Sequence, residues 1–271
     1  MESRRRTLFL SLPFAAWFLC AILAPFGLIL ANSFAHRSDL GVLEPVFDAS
    51  AYLQLFDPLY ASILVRTLAF ALSNTLLTIL IAYPVAFYIS RQKNGRRKLL
   101  LTLILIPFWT NFLVRVLAFS DLLRLRPFGI EWLYTQHGVL AAMMYNYLPF
   151  AVLPLYSSMA TVDASILEAA QDLGATRRQI FKNVLWPLTR SGTYAAALLV
   201  FIPTLGEFLI PDLIGGGRFF VLGTFLQNQF LTARNWPLGS AAIVLLTALT
   251  LIIMAFFSTA LIRNERKARF P

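Results

Sequence analysis

The chain has 271 residues, of which 58% are apolar and 13% are charged, and its mean hydropathy is +0.70. Soluble domains are about half apolar and a quarter charged, so this composition excludes an ordinary soluble domain and favours a membrane protein. The 23 Lys and Arg against 13 Asp and Glu give a formal net charge of +10. That excess is compatible with a nucleic-acid partner, an anionic membrane surface or a membrane topology.

Six stretches are long and apolar enough to cross a bilayer as helices. A span needs about 20 mostly apolar residues, because lipid offers no hydrogen-bond partner to unpaired backbone groups. The windows hold two formal charges, Arg115 and Glu207, and several prolines, so we expect kinked helices. The sequence therefore predicts an all-α membrane protein with six transmembrane helices in a single domain, residues 1–271. The windows are Thr7–Ala31, Thr67–Ser90, Leu99–Phe119, Gly138–Ala160, Ser191–Pro211 and Gly239–Leu261.

The basic residues outside the windows are unevenly distributed. Sixteen Lys and Arg lie in four segments: the N-terminal segment, residues 91–98, residues 161–190 and the C-terminal segment. The three segments that alternate with these along the chain hold 6. Basic residues are enriched on the cytoplasmic side of membrane proteins. We therefore expect a multi-pass membrane protein with both termini in the cytoplasm. Topology and attraction to anionic lipid explain the basic run at 91–98, so we expect no nucleic-acid partner.

Residues 161–190, between the fourth and fifth windows, predict two short helices. Asp163 is placed to cap the first helix, and Gly174 occupies the position at which a left-handed residue would end it. Thr176 and Gln179 have the spacing of a capping box that opens the second helix. This pattern alone is compatible with a docking surface for another protein and with a solvated amphipathic linker.

The spacing of this segment resembles the EAA loop of permeases of ABC importers. Glu168, Ala169 and Ala170 are followed by Gly174, six residues after Glu168, and by Pro187, thirteen residues after Gly174. In that family the loop is a helix-turn-helix that docks into a cleft on a cytoplasmic ATPase subunit. The resemblance implies the type I ABC importer permease fold and a coupling role for residues 161–190, named the EAA loop below. The implicated residues are Glu168, Ala169, Ala170, Asp172, Gly174, Arg177 and Pro187.

Three further stretches, residues 106–115, 201–216 and 235–237, are similar to the first permease subunit of spermidine/putrescine importers. With the EAA loop, the similarity covers about residues 60–262. It implies a permease of the bacterial inner membrane that forms a translocation path with a second, homologous permease. The other implied partners are two ATPase subunits, an extracytoplasmic substrate-binding protein and membrane lipid. Permeases for iron(III), sulfate, opines and other solutes share the loop, and a non-transporting membrane scaffold or channel is a further alternative.

The chain carries no recognisable catalytic motif. It has no Gly-x-x-x-x-Gly-Lys-[Ser/Thr] phosphate cradle, and its two histidines, His36 and His137, have no metal-ligand spacing with Cys or Glu residues. We therefore expect a transporter subunit that is not an enzyme and that binds no cofactor itself. ATP and Mg²⁺ are expected on the partner ATPase.

The two charges inside the windows are candidates for a translocation path. A charge near the bilayer centre costs about 2.5–3.5 kcal/mol on insertion scales, so Arg115 and Glu207 should face protein or water. In one interpretation Glu207 helps to conduct a cationic cargo; in the other it forms a structural ion pair with Arg115, or Arg115 reaches the exterior edge. Aromatic rings such as that of Tyr147 attract ammonium groups, although core or interfacial packing is their commoner role. The candidate path residues are Trp109, Asn111, Arg115, Glu207 and Asp212.

Overall fold

A computed structural model describes residues 2–38 and 43–269, and these residues are mostly helical, as the sequence predicts. The helices are α1 (Glu2–Ser33), α2 (Ser50–Gln54), α3 (Pro58–Ser90), α4 (Asn94–Leu105), α5 (Phe112–Arg124), α6 (Gln136–Ala160), α7 (Ala164–Asp172), α8 (Arg177–Ile180), α9 (Trp186–Gly206), α10 (Leu209–Gly215), α11 (Leu222–Gln227) and α12 (Trp236–Arg269). Two 3₁₀ segments (Ile106–Trp109 and Pro127–Gly129) and two π segments (Phe181–Leu185 and Asn228–Thr232) lie between them.

A short antiparallel hairpin follows α1 and was not predicted. Its strands are β1 (Ala35–Arg37) and β2 (Leu43–Phe47). The Nδ1 atom of His36 lies 2.9 Å from Oδ2 of Asp48, and this contact is the main reason why the pKa of Asp48 falls to about 2. Strands of three and five residues are too short to show a clear alternation of polar and apolar side chains, so the sequence did not reveal them.

Four helical stretches are individually long and apolar enough to cross a membrane: Ala16–Ser33, Pro58–Ser90, Gln136–Ala160 and Trp236–Phe257. Two further candidates are bent pairs. Asn94–Trp109 and Phe112–Arg124 meet at 99°, and Arg177–Gly206 and Leu209–Gly215 meet at 66°. The described residues therefore contain four spans, or up to six if each bent pair is one span.

In the third and fifth predicted spans the helix is interrupted completely, whereas the sequence predicts only kinks. Pro107 lies in the 3₁₀ segment after α4, and Pro203 lies near the end of α9. Proline lacks the N–H that continues a helical ladder, and its ring clashes with the preceding turn. Beyond each proline one residue, Thr110 or Glu207, adopts an extended backbone, and a new helix then begins in another direction.

The described chain divides into two compact units, residues 1–62 with 225–251, and residues 63–224 with 252–271. In the first unit, Arg37 of the hairpin donates a hydrogen bond to the carbonyl oxygen of Ala233 at 3.0 Å. In the second unit, α6 packs along α9 and the two helices supply most of the core. A Cβ on Gly192 of α9 would overlap Ser158 of α6, so the helices approach closely only because this residue is glycine.

Candidate functional site

The EAA loop folds as the helix-turn-helix that the sequence predicts. The carboxylate of Asp163 caps α7 by accepting a hydrogen bond from the N–H of Ser165 at 3.1 Å, and this is the main reason why the pKa of Asp163 is lowered. Gly174 makes the turn after α7 with φ +78°. The N–H of Ala175 then donates to the carbonyl oxygen of Ala170 at 3.0 Å. The predicted N-cap and left-handed glycine are both confirmed.

The second helix of the loop runs directly into α9, the helix of the fifth predicted span. Thr176 and Gln179 form the predicted capping box of α8, because the N–H of Thr176 donates to Oε1 of Gln179 at 2.8 Å and the reciprocal bond measures 3.4 Å. The helix continues through the π segment into α9. Pro187 lies in the first turn of α9, and the wider π turn before it accommodates its ring and its missing donor. The chain from α8 to the end of α9 is therefore helical without a gap.

The predicted coupling residues lie on the surface. No residue of α7 is buried, and Leu173 at the turn is 89% exposed. Among the described residues, no Lys or Arg forms an ion pair with Glu168 or Asp172, which are one helical turn apart. The loop thus presents an apolar side chain and two unpaired carboxylates. Glu168, Ala169, Asp172, Gly174, Arg177 and Pro187 are exposed, and Ala170 is half-buried.

The EAA loop is also attached to α3. Arg91, the residue after α3, donates from Nη1 to the carbonyl oxygen of Val162 at 3.1 Å, and its guanidinium carbon lies 5.3 Å from the ring centroid of Phe87. The Tyr83 hydroxyl lies 2.8 Å from Oγ1 of Thr189 in α9. A mostly apolar cavity of about 740 Å³ separates α3 from the loop between these contacts. From the sequence, the basic run that includes Arg91 is explained by topology and attraction to anionic lipid, because counting basic residues does not distinguish a charge in water from one that binds a carbonyl.

Glu207 lies in the break between α9 and α10. Its Oε1 accepts hydrogen bonds from the N–H groups of Leu209 at 2.9 Å and Ile210 at 3.4 Å, and its Oε2 accepts one from the Tyr147 hydroxyl at 3.0 Å. The carboxylate therefore satisfies two backbone donors that the break leaves free. It also lines a cavity of about 350 Å³ whose other walls are mostly apolar: Phe112, Tyr147, Pro203, Gly206, Phe208 and Leu209.

Arg115 does not pair with Glu207. Its Nη1 donates to the carbonyl oxygen of Pro107 at 2.8 Å, at the other broken span. Its guanidinium carbon lies 5.3 Å from the Phe108 ring centroid and 5.6 Å from that of Phe112. In the part of the chain that the structure describes, no ion pair involves either Arg115 or Glu207. The ion-pair alternative is therefore wrong for this conformation.

The other predicted path residues lie outside the Glu207 cavity. Trp109 is 84% exposed, and Asp212 is exposed in the first turn of α10. Asn111 caps α5 by accepting a hydrogen bond from the N–H of Leu113 at 2.9 Å. The sequence did not single out Phe112 or Phe208, because a phenylalanine in an apolar segment looks the same whether it lines a cavity or packs in a core.

Residues 7–267 match the family described as binding-protein-dependent transport system inner membrane component. The chain is 34% identical over 264 residues to the spermidine/putrescine transport system permease protein PotB of Escherichia coli (strain K12), covering 92% of this chain and 96% of that protein. It is 36% identical over 265 residues to the PotB protein of Haemophilus influenzae, covering 93% of each. The fold is similar to that of a chain in the crystal structure of a bacterial alginate ABC transporter in complex with an alginate pentasaccharide-bound periplasmic protein. The TM-score is 0.69 at 15% identity, and the match covers 94% of this chain and 93% of that chain, which shows a shared fold. A family match over nearly the whole chain, with relatives this similar, means that the protein belongs to the binding-protein-dependent transport system inner membrane components, the permeases of ABC transporters.

Proposed function

We propose that this chain is the transmembrane permease subunit of an ATP-driven importer of polyamines, of the spermidine and putrescine type. The observation that carries the proposal is the similarity of 34–36% over more than nine-tenths of the chain to two permeases named for those cargoes. The uncompensated carboxylate of Glu207 in an apolar cavity agrees with a cationic cargo. The alternatives are transport of iron(III), sulfate or an opine, and a scaffold role. The reconstitution experiment described below distinguishes them from polyamine transport.

The proposed arrangement in the membrane has six spans and both termini in the cytoplasm. The four continuous spans and the two bent pairs together account for the six predicted windows. The excess of basic residues in the N-terminal segment, residues 91–98, the EAA loop and the C-terminal segment supports this orientation. The EAA loop then faces the cytoplasm, where an ATPase is found.

Coupling in this proposal depends on the exposed helix-turn-helix. The EAA loop, through Glu168, Ala169, Ala170, Asp172, Gly174, Arg177 and Pro187, docks on one of two ATPase subunits, which bind ATP and Mg²⁺. A partner shifts a two-state equilibrium only if it binds one state better than the other. Because α8 continues into α9, closure of the ATPase displaces the fifth span. This chain contributes no covalent chemistry.

The proposed translocation path lies between this chain and a second, homologous permease. It includes the broken third and fifth spans, with Trp109, Asn111, Arg115, Glu207 and Asp212. Breaks in membrane helices are tolerated where the backbone is buried in protein or lines a water-filled cavity. An extracytoplasmic binding protein delivers the cargo to the exterior end of this path.

Reconstitution tests the proposal. The chain, its second permease, the ATPase and the binding protein are assembled in proteoliposomes, and uptake of radiolabelled spermidine and putrescine is measured with ATP hydrolysis. We expect ATP-dependent uptake and hydrolysis that the cargo-loaded binding protein stimulates. Stimulation and uptake with another solute instead would exclude the polyamine assignment, and a complex without any stimulated hydrolysis would indicate a scaffold.

A further inference from the structure

Glu207 is an acidic side chain within a predicted span, and it has no basic partner among residues 2–38 and 43–269. Its contacts are two backbone N–H groups and the Tyr147 hydroxyl, and no Lys or Arg of the described chain forms an ion pair with it. Ionisable groups within membrane proteins are costly and usually pair or line a functional cavity. Arg115, the other charge in the predicted spans, is bound to the Pro107 carbonyl. The negative charge of Glu207 is thus uncompensated within the described part of the protein.

The carboxylate retains capacity for further hydrogen bonds. Both backbone donors bind Oε1, whereas Oε2 accepts one bond, from Tyr147. An ionised carboxylate offers about four lone-pair sites, and a primary ammonium group carries three N–H donors. The Tyr147 oxygen also has lone pairs. Oε2 and the phenol oxygen therefore form a pair of acceptors at one wall of the cavity.

The remaining walls of the cavity suit the rest of a primary amine. Phe112 and Phe208 line it, and aromatic rings attract cations, as the Arg115 guanidinium carbon 5.6 Å from the Phe112 ring centroid illustrates. Pro203 and Leu209 supply apolar contacts for methylene groups. Its volume of about 350 Å³ is at the small end of the range of ligand sites, which is about 300–1,000 Å³. This combination of one charge, one phenol and aliphatic and aromatic walls favours a slender cation over a bulky or anionic solute.

We propose that Glu207 and Tyr147, with the rings of Phe112 and Phe208, form a binding site for a primary ammonium group of the cargo during its passage through the membrane. This inference rests on the proposed polyamine transport and extends it to a specific site. The ammonium group binds Oε2 of Glu207 and the Tyr147 oxygen, while Oε1 continues to cap α10. The break between α9 and α10 thus both ends a helix and orients the carboxylate that binds the cargo.

The test compares Glu207→Gln with the wild-type protein in the assembled complex in proteoliposomes. Glutamine keeps the side-chain length and an oxygen that accepts the cap hydrogen bonds, but it removes the charge. We expect uptake of radiolabelled putrescine and spermidine to fall about tenfold. The ATPase and the second permease should copurify with the variant as they do with the wild-type protein, so that a loss of uptake does not come from a missing subunit. The melting temperature of the complex should also be unchanged.

Two further variants separate the charge from other effects. Glu207→Asp keeps the charge and should retain more uptake than Glu207→Gln. Glu131→Gln is the matched control, because Glu131 is an exposed carboxylate outside the cavity that pairs with Arg126 at 3.4 Å. Its uptake should remain within about twofold of wild type.

Three results would overturn the proposal. Wild-type uptake by Glu207→Gln in a complex that imports polyamines would reject the ammonium site and leave the proposed function intact. If the Glu207→Gln complex does not assemble, the Glu207→Asp variant provides the test. An Asp variant that assembles but takes up no polyamine would contradict a role based on charge. A wild-type complex that imports a different, uncharged or anionic solute rejects the proposed function, and the ammonium site fails with it.

Discussion

At the scale of single residues, polar side chains in the predicted spans satisfy the backbone at the two helix breaks. Arg115 donates to the Pro107 carbonyl, Asn111 accepts from the first turn of α5, and Glu207 accepts from the first turn of α10. Free N–H and C=O groups at a break are expensive in a membrane, because lipid cannot satisfy them. These side chains therefore stabilise the bends.

Gly174 is the residue at which the EAA loop is most sensitive to substitution. Its φ of +78° is unfavourable for a β-branched side chain, although a Cβ there meets no atom within 4 Å. Gly174→Val should cost about 1–2 kcal/mol at this turn and reorient α7 relative to α8. We expect uptake to fall about fivefold or more, with ATP hydrolysis uncoupled from cargo or with loss of the bound ATPase. Uptake and copurification of the ATPase are the measurements.

The control for this substitution is Gly217→Val. Gly217 has φ +75° and open space around its Cα, so the backbone strain is matched, but it lies outside the EAA loop. Its effect on ATPase binding should be small. Normal assembly and normal uptake by Gly174→Val would count against the assignment of the loop.

At the scale of elements, two further connections join the EAA loop to the predicted spans, besides the contact between Tyr83 and Thr189. One is covalent, because α8 continues through the π segment into α9. The other is the contact of Arg91 with Val162, at the start of the loop, which attaches the end of α3. The Nε and Nη2 atoms of Arg91 are buried and have no hydrogen-bond partner in the described structure, so the bond from Nη1 to the Val162 carbonyl is the hydrogen bond that holds this guanidinium there. A displacement of the loop is therefore expected to reach both the second and the fifth predicted spans.

Replacing Arg91 tests the second connection. Arg91→Gln removes the positive charge from the hydrogen bond to the Val162 carbonyl and the contact of the guanidinium with the Phe87 ring. We expect the ratio of cargo imported to ATP hydrolysed to fall about threefold to tenfold, because the energy of a charge-assisted hydrogen bond is lost. Arg96→Gln, at an exposed position of the same basic segment, should leave the ratio unchanged. Arg91→Lys keeps the charge and N–H donors, so it should retain more coupling than Arg91→Gln. A normal ratio in Arg91→Gln would contradict the second connection.

At the scale of the whole molecule, the number of membrane crossings depends on the bent pairs. If the pair formed by α4, the 3₁₀ turn and α5 crosses the membrane, three crossings separate residue 49 from residue 165. If that pair is re-entrant, two crossings separate them. Three crossings place these two residues on opposite sides, whereas two place them on the same side.

Cysteine labelling distinguishes these topologies. Cys20 is the single cysteine, so Cys20→Ser provides a background without thiols. In that background, Ala49→Cys should react with a membrane-impermeant maleimide on intact cells, and Ser165→Cys should react only after permeabilisation. Both positions are exposed in the structure. Labelling of both residues from the same side would reject six spans.

Much of the fold and of the EAA loop could be predicted from the sequence because the relevant properties are local or one-dimensional. The lengths of apolar runs, the distribution of basic residues, the cap at Asp163, the turn at Gly174 and the capping box at Thr176 all depend on neighbouring residues. The hairpin was missed because its strands are too short for a pattern, and proline could indicate a kink at the third and fifth spans but not its angle.

Only the tertiary structure shows which groups the charged side chains bind. Tyr147 is 60 residues from Glu207, and Val162 is 71 residues from Arg91, so no local spacing connects them. The sequence identified Arg115 and Glu207 as unusual because burying a charge is costly, and it left open whether they bind each other. The structure shows that they do not bind each other. Each break leaves backbone groups free, and one of the two side chains satisfies them. The carboxylate of Glu207 is thereby left with no basic partner in the described chain and with a cavity beside it.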